Sequence, residues 1–405
     1  MTRSAVTNNA VTIVRAAVVL LSAAVLVWFV SAQGFAAMAA RGASTALLAR
    51  FDPGVYPDAG RRLAQSRLDS GKAYQAAALA RPAVFADPMN VRTVRTLGLA
   101  LDTIDKDGSL RVMRMAEKLS WRDTPTSLWA LRDAALNQDI TRVLNQIDAL
   151  ARRQVQSAIT SKIFYAGLID APSRSAFAGL LARNPPWRSS FFANIRVNLP
   201  TKSYGQMELL LDQLDRTNAP PSREERLTFI DRVVDSGDGS RAHAYWVRSF
   251  GISPAARGQT PHDPQFRAVA VRRPDISISP FDWAIGQDAI QFIGFRPADR
   301  GPVLDIAPGA EDGTAFLSQT LILPSGSHQI STVVEGPTGQ APAGWQLTCS
   351  QSDARLIRTF SRPGDELSGI SFDVPASGCP TQRLILTANG RIGARPVSIR
   401  QVTIH

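Results

Sequence analysis

Residues 316–326 read Phe-Leu-Ser-Gln-Thr-Leu-Ile-Leu-Pro-Ser-Gly, and this stretch decides the fold of the last third of the chain. Apolar and β-branched residues continue as far as Leu323, which is typical of a β-strand. The Pro324-Ser325-Gly326 sequence that follows is typical of a turn, and Ile330 begins the next apolar run. The stretch therefore predicts a strand that pairs with its successor across a turn.

The sequence on both sides of this stretch has the same pattern of short apolar runs and turn residues. After Ser253-Pro254, short runs rich in Val, Ile, Thr and Phe alternate with clusters of Pro, Gly, Asp and Ser. Nine runs are candidate strands: 289–295, 303–307, 315–323, 329–334, 345–350, 354–360, 370–374, 382–388 and 396–404. Strands of this number and spacing predict an antiparallel sandwich or barrel over 275–405, preceded by a linker over 253–274.

The two cysteines of the chain, Cys349 and Cys379, both lie in this predicted β-domain. Trp345, Leu347 and Cys349 alternate along one strand, so their side chains share the face that points into the core. In an exported domain the pair predicts a disulfide that closes a loop of about 30 residues. In the cytosol the same pair would be two buried thiols, so the location of the domain decides between the alternatives.

The strand and turn of 316–326, with the closing strand Val397–Ile404, resemble jelly-roll domains of the galactose-binding or carbohydrate-binding-module kind. The resemblance implies a sugar bound by exposed aromatic and polar residues, or a calcium ion bound by carboxylates and carbonyls. No tyrosine follows Tyr245, which disfavours a sugar-stacking platform. Four carboxylates are candidate calcium ligands: Asp299, Asp305, Glu311 and Asp312. Their spacing matches no calcium loop and favours turn chemistry, so we expect no cofactor.

The region 58–252 is rich in Ala, Leu, Arg and Gln, with apolar residues three and four apart and breaks at Pro and Gly. This pattern predicts helices of about 12 to 20 residues. Four residues fall at the spacings of a tetratricopeptide repeat: Gly71, Ala76, Ala83 and Pro88. The sequence from Val94 to Leu101 resembles the start of a second repeat. The resemblance implies a solenoid of stacked helix pairs whose groove binds a segment of a partner protein.

Three tryptophans are candidate ligand-facing aromatics: Trp187, Trp283 and Trp345. Trp187 follows two prolines and stands beside Arg188, a pair that can form a stacking surface, although a tryptophan here can also fill the gap between two helices. Trp283 precedes the first clear strand and either faces a ligand or covers the sandwich edge. If carbohydrate binding is the main activity, we expect Trp283 or Trp345 to be exposed to solvent.

The N-terminal segment 16–40 contains no charged residue and is long enough to cross a bilayer as a helix. We expect an uncleaved transmembrane anchor there, with residues 1–15 in the cytoplasm and a linker over 41–57. Cleavage as a signal peptide beside one of the small residues in 30–40 is the alternative. In both cases the rest of the chain is exported, so we expect a single-pass bacterial inner-membrane protein with its bulk in the periplasm.

The formal net charge of +11 and the pI near 10.4 would suit nucleic acid, an acidic polymer or anionic lipid as partner. The arginines are scattered among acidic residues without any nucleic-acid-reading motif, so we expect no nucleic-acid partner. The four histidines lack zinc spacing: His243, His262, His328 and His405. The chain also lacks a nucleophile elbow, a P-loop and a dinucleotide motif, so we expect no catalytic residue and no enzyme activity.

An anchored helical repeat protein that ends in a lectin-like sandwich resembles accessory proteins of bacterial capsule or exopolysaccharide assembly. The resemblance implies a non-enzymatic scaffold that recruits an envelope protein through its helices and docks its sandwich on a glycan or another protein. The alternative is a carbohydrate-binding protein whose sandwich is the active part and whose helices are a spacer. The predicted fold is thus a multi-domain α + β chain with one transmembrane helix, a helical solenoid and an antiparallel jelly roll.

Overall fold

The structure is a computed structural model that describes residues 27, 48–153, 164–165, 168, 170–273, 276–299, 301–335, 343–360, 366–390, 392 and 396–405. The predicted anchor over 16–40, apart from Val27, and the predicted cytoplasmic segment 1–15 lie outside the described residues. Within the described part of the chain, no helix combines the length and the apolar character that a membrane span requires.

The chain divides into two compact units, unit 1 over residues 1–160 and unit 2 over residues 161–405. The division falls inside the predicted helical domain 58–252. Helices that follow residue 160 therefore belong to the same unit as the β-sandwich.

Unit 1 is built from helices that each pack against the next. They are α1 (Pro57–Asp69), α2 (Ala73–Ala86), α3 (Val91–Leu101), α4 (Lys106–Leu119), α5 (Thr124–Leu136) and α6 (Ile140–Arg152). Helices α3 to α6 begin at a side chain that accepts a backbone N–H of the first turn: Asn90, Asp105, Asp123 and Asp139. The assignment of these helices to tetratricopeptide repeats stays a prediction.

The helices of unit 1 approach closely where the sequence supplies small residues. A Cβ atom on Gly98 of α3 would lie 2.5 Å from Sδ of Met113 on α4, which is far inside van der Waals contact. Ala76 and Ala83 of α2, two of the residues that carry the repeat resemblance, are fully buried. Small side chains at these positions allow neighbouring helix axes to come together.

Unit 2 begins with helices and ends with the sandwich. Its helical elements are α7 (Ala171–Leu181), α8 (Arg188–Asn198), a 3-10 turn (Thr201–Ser203), α9 (Tyr204–Leu214), α10 (Arg223–Asp235), α11 (Gly239–Ser249), α12 (Pro254–Arg257) and α13 (Arg267–Val271). The sequence predicts a capping box at the start of α10. The structure confirms it: Glu225 N donates to Ser222 Oγ at 3.2 Å, and Ser222 N donates to Glu225 Oε2 at 2.9 Å.

The β-sandwich consists of two antiparallel sheets. Its strands are β1 (Ala284–Ile285), β2 (Ile293–Arg296), β3 (Val303–Ile306), β4 (Ala315–Leu321), β5 (Gly326–Glu335), β6 (Ala343–Cys349), β7 (Arg355–Phe360), β8 (Glu366–Val374), β9 (Gln382–Ala388) and β10 (Val397–Ile404). Sheet A has the order β1-β4-β9-β6-β7, and sheet B has the order β2-β3-β10-β5-β8. Each of the nine predicted runs overlaps one of the strands β2 to β10. The two-residue strand β1 was not predicted.

The core between the two sheets is apolar and aromatic, with Phe316, Trp345 and Leu386 almost fully buried. The segment 253–274, predicted to be a linker, takes part in this packing. It contains α12 and α13, and Phe266 lies in the same core. Backbone hydrogen bonds also join it to β10: Val402 N donates to Pro264 O at 3.0 Å, and Ile404 N donates to Thr260 O at 2.7 Å.

Candidate functional site

Trp187, predicted as a possible stacking residue, is 5% exposed and lies inside the helical part of unit 2. Its ring stacks on Phe164, with centroids 5.1 Å apart, and lies 6.3 Å from Phe177. The ligand-facing prediction is therefore wrong for Trp187. The gap-filling alternative describes it, because the turn at Pro185-Pro186 directs the indole between neighbouring helices.

Arg188, the neighbour of Trp187, is occupied by a buried ion pair. Its Nε and Nη2 atoms each donate to the Glu225 carboxylate at 2.7 Å, which joins α8 to the start of α10. The guanidinium also donates to three backbone carbonyls: Leu181, Ala219 and Pro220. With its donors engaged inside the protein, Arg188 has a structural role rather than a ligand-binding one.

Trp283 and Trp345 are each 1% exposed, so the ligand-facing prediction is wrong for them too, and neither is the exposed aromatic that we expected of a chain whose main activity is carbohydrate binding. Their ring centroids lie 5.7 Å apart, and Trp283 also packs against Phe266 at 5.6 Å. Trp283 Nε1 donates to Asp263 O at 2.9 Å, which gives the buried indole N–H a partner. Alternation along β6 places Trp345 on the same inner face as Leu347 and Cys349.

Cys349 and Cys379 form a disulfide, with Cα atoms 5.1 Å apart. Both cysteines are buried, and the bond joins the end of β6 to the turn that precedes β9. Gln382 Nε2 donates to Cys379 O at 2.7 Å and holds that turn. The bond therefore ties the end of β6 to the turn that leads into its neighbour β9 in sheet A.

Two of the four carboxylates considered as calcium ligands, Asp305 and Asp312, form hydrogen bonds within the sandwich. Asp305 accepts from Arg296 Nε at 3.0 Å and from Ser398 Oγ at 2.5 Å, and Asp312 Oδ1 accepts from Gly390 N at 2.8 Å. Across the residues that the structure describes, no three His, Cys, Asp or Glu side chains are grouped as metal ligands would be. These two carboxylates therefore act in strand pairing and turn formation.

Two of the four histidines come together between α11 and the sandwich. The rings of His243 and His262 both pack against Trp246, at centroid distances of 5.5 and 4.9 Å. His243 also meets Phe281 edge to face at 5.1 Å. Burial, and to a lesser extent the charge of His262, lowers the pKa of His243 below its usual value. The cluster favours a neutral imidazole in a packing role.

The outward face of sheet A is the best candidate for a ligand surface. Strand registers place Arg383 of β9 between Thr320 of β4 and Thr348 of β6, and Thr348 is followed across the sheet by Arg355 of β7. The adjacent row runs Ser318, Ile385, Gln346 and Arg358 in the same registers. We call these eight residues the arginine face.

Exposure and charge make the arginine face accessible to an anion. Arg355, Arg358 and Arg383 are exposed, whereas the serine, threonine and glutamine side chains between them are half-buried. Arg383 Nη2 donates to Ser318 Oγ at 3.5 Å, a long contact that an incoming acceptor can replace. Neither Arg355 nor Arg383 forms an ion pair with a described carboxylate. The face therefore combines positive charge with neutral hydrogen-bonding groups.

The arginine face was missed at the sequence level, although the signal was present. Gln346 and Thr348 alternate with the buried Trp345, Leu347 and Cys349, which assigns the two polar residues to the outside of the sheet. The sequence does not show which outward positions of neighbouring strands are adjacent. That information comes from the strand order, which places β9 between β4 and β6.

Unit 1 carries a separate groove between α1 and α3, with a cavity of about 520 Å³. Its lining residues are Arg61, Arg62, Gln65, Ser66, Asp69, Ser70 and Arg92. Arg61 is paired with Asp58 at 2.7 Å, whereas Arg62 and Arg92 have no ion pair with a described carboxylate. The groove is thus polar; Asp69, which also lines it, offsets one of these two charges and leaves a net positive charge.

No family model and no curated protein matches this chain. Solved structures match about a third of it. A structure described as "CBM4 structure and function" is 17% identical over 37% of this chain and 97% of its own, with a TM-score of 0.26. The module TmCBM61 in complex with β-1,4-galactotriose is 13% identical over 30% of this chain and 87% of its own, with a TM-score of 0.23.

A third match is the structure of accessory secretory proteins 1, 2 and 3 of Streptococcus pneumoniae. It is 12% identical over 30% of this chain and 90% of its own, with a TM-score of 0.23. Likenesses this distant say nothing about what the present chain binds.

Proposed function

We propose that this chain is a non-enzymatic binding protein of the bacterial cell envelope and that its arginine face holds an acidic polysaccharide. The observation that carries the proposal is the row of exposed guanidinium groups across β9 and β7, with hydroxyl and amide groups between them. A guanidinium binds a carboxylate through two parallel hydrogen bonds. Threonine, serine and glutamine side chains provide both donors and acceptors for sugar hydroxyls.

The face favours a polysaccharide that is bound through its charge and hydroxyl groups, without ring stacking, over a single-stranded nucleic acid. Proteins that bind single strands stack bases on aromatic side chains. None of the eight residues of the arginine face is aromatic. The one apolar residue of the eight, Ile385, is aliphatic and half-buried. An acidic glycan needs charge and hydroxyl recognition in the same place, which this face offers.

The proposal includes a location and a process. The uncharged segment 16–40 supports a membrane anchor, and the disulfide supports an oxidising compartment such as the periplasm. An anchored protein that holds an acidic glycan outside the cytoplasm suits assembly or export of exopolysaccharide or capsule. The absence of any catalytic motif in the sequence supports a non-enzymatic role.

A protein scaffold is the second candidate function, and the groove between α1 and α3 favours it. Arg62 and Arg92 lie on two neighbouring helices and face the same cavity. A groove of this kind on stacked helices suits an extended segment of another protein, and its charge suits an acidic one. In this account the helices recruit an envelope protein while the sandwich holds the glycan.

The test is calorimetric titration of the full chain, oxidised, with polygalacturonate, neutral dextran and single-stranded DNA in buffer that contains EDTA. The test variant is Arg355→Gln/Arg358→Gln/Arg383→Gln. The control is Arg81→Gln/Arg111→Gln/Arg132→Gln, which removes the same charge from exposed arginines of unit 1. We expect saturable binding of polygalacturonate alone, weakened about tenfold or more in the test variant, as for the loss of charge-assisted hydrogen bonds.

Three outcomes contradict the proposal. Equal weakening in both variants would mean that net charge alone attracts the polymer. Equal binding of DNA would mean a general polyanion site. No heat with polygalacturonate would leave the helical groove, and hence protein scaffolding, as the better account.

A further inference from the structure

Unit 1 contains a second cavity, of about 380 Å³, that the proposed function does not use. It lies between the last turns of α4 and the first turn of α6. Its lining residues are Arg114, Glu117, Lys118, Trp121 and Arg142. Its volume is at the small end of the range of ligand sites in proteins.

The floor of this cavity is an ion-pair network of one guanidinium and two carboxylates, so its net charge is −1. Arg142 donates to both Glu117 oxygens, through Nε at 3.3 Å and Nη2 at 2.6 Å, and to Asp133 through Nη1 at 2.6 Å. Gln146 Nε2 donates to Glu117 Oε1 at 2.8 Å. The hydrogen bond with Glu117 raises the pKa of Arg142. The floor is therefore pre-ordered, and its excess negative charge directs an anion to the rim rather than to the floor.

The rim of the cavity carries two positive charges, which together outweigh the one excess negative charge of the floor. Arg114 and Lys118 are exposed, lie four residues apart on α4 and so share one side of the helix. Neither forms an ion pair with a described carboxylate. The helix dipole favours Lys118 in the last turn, but two like charges one turn apart disfavour each other. An anion bound between the two side chains would relieve this repulsion.

Trp121 supplies the apolar wall of the cavity and is 63% exposed. In contrast, Trp187, Trp246, Trp283 and Trp345 are buried. Trp121 lies in the short connection between α4 and α5. The end of this connection is anchored, because Asp123 accepts hydrogen bonds from Thr126 N at 3.1 Å and from Arg95 Nη1 at 2.6 Å. The backbone next to Trp121 is thus anchored, and its indole is exposed although a side chain of this size is usually covered.

We infer that this cavity binds one sugar ring that carries a negatively charged substituent, with the ring against the Trp121 indole and the anion between Arg114 and Lys118. Trp121 is the one apolar side chain among five lining residues, the other four being charged. A peptide side chain docked by burial needs more apolar wall than this. A pyranose presents one apolar C–H face and hydrogen-bonding edges, which match one indole surrounded by polar groups.

This site stands on unit 1 alone, so it can bind even if the arginine face does not. If both sites bind the same acidic polymer, a titration of the unaltered chain reports both at once. The two sites must therefore be separated in the test.

The test uses the full chain with the Arg355→Gln/Arg358→Gln/Arg383→Gln changes already in place. The probes are a short oligogalacturonate, a maltooligosaccharide of matched length and sodium phosphate, each titrated by calorimetry. The variants are Trp121→Ala, Trp121→Phe and Arg114→Gln/Lys118→Gln. The control is Arg122→Gln, an exposed arginine beside Trp121 that does not line the cavity.

We expect the oligogalacturonate to bind with one saturable site, and we expect Trp121→Ala and the double variant each to weaken it about tenfold. The affinity of Trp121→Phe for the oligogalacturonate should lie between those of Trp121→Ala and the parent, and the affinity of Arg122→Gln should equal that of the parent. Bound oligogalacturonate should also reduce the quenching of tryptophan fluorescence by iodide in the parent, because it covers Trp121. It should not do so in Trp121→Phe.

Equal binding of phosphate would reduce the site to a simple anion site, and equal binding of the neutral oligosaccharide would remove the role of Arg114 and Lys118. Each result overturns the inference. The inference would also be overturned if the arginine face changes abolish binding while Trp121→Ala, made in the otherwise unaltered full chain, leaves the affinity unchanged. The proposed function would then stand.

Discussion

Gln319 of β4 forms a pair of hydrogen bonds with the backbone of His262: His262 N donates to Gln319 Oε1 at 2.8 Å, and Gln319 Nε2 donates to His262 O at 2.9 Å. Gln319 is 2% exposed, so its amide is buried in the sandwich. Through this pair, the segment 253–274 is attached to sheet A as well as to β10. The relationship explains why a stretch with the composition of a linker is an integral part of unit 2.

Gln319→Leu should destabilise unit 2 by about 1 to 3 kcal/mol, because it leaves the two partly buried backbone groups of His262 without partners. The measurement is urea denaturation followed by tryptophan fluorescence. Gln401→Leu, at a half-exposed position of β10, is the matched control and should change the free energy of unfolding much less. Equal effects of the two changes would contradict the role assigned to Gln319.

Reduction of Cys349–Cys379 should lower the free energy of unfolding by about 3 to 4 kcal/mol, since the bond closes a loop with a sequence separation of 30 in the unfolded chain. Denaturation with and without a phosphine reductant measures this loss. The double variant Cys349→Ala/Cys379→Ala should be destabilised similarly and should not respond to reductant. A response of the double variant would show that the reductant acts elsewhere.

Gly98→Val should destabilise unit 1 by about 1 to 3 kcal/mol, because a side chain at this point of α3 meets Met113 of α4. Gly98→Val should lower the free energy of unfolding less in a chain that already carries Met113→Ala. A double-mutant cycle on thermal unfolding would detect the difference. Gly179→Val is the control, because a Cβ atom at that helical glycine has no neighbour within 4 Å. A cost that is the same with and without Met113 would contradict the close approach.

The stability of unit 2 should fall below neutral pH partly because of His243. Its folded-state pKa is lowered from 6.5, first by burial and then by the charge of His262, so the unfolded chain binds the proton more readily. This contribution to stability is fully present above about pH 6.5 and is lost as the pH falls toward the folded-state pKa.

His243→Phe keeps a ring against Trp246 and Phe281 without a titrating group, so it should flatten the decline in unfolding free energy between about pH 7.5 and 5. Denaturation at half-unit steps of pH would measure this. His405→Gln removes an exposed histidine and should reproduce the slope of the parent chain. An unchanged slope in His243→Phe would mean that other groups cause the pH dependence.

Local pattern predicted most of the elements, but not β1, α12 or α13, and it did not predict the ligand surface. Short runs rich in Val, Ile, Thr and Phe, with turn residues between them, identified nine strands, and alternation along 345–349 identified the inward face of one of them. The capping box at Ser222 and Glu225 was likewise predictable, because its partners are three residues apart. The prediction that Trp187, Trp283 or Trp345 faces a ligand was wrong for the opposite reason. Burial depends on which distant elements cover a side chain.

The sequence by itself determined the β-strands of the last third, the helices before them and the pairing of the two cysteines once export is assumed, because each depends on local periodicity or on there being a single possible pair. Only the tertiary structure decided that Arg355 and Arg383 share one face with Thr348, that the predicted linker belongs to the sandwich, and that Trp121 rather than the three predicted tryptophans stands beside a cavity. Those relationships depend on strand order and helix packing, which bring together residues far apart in the chain and which no local pattern records.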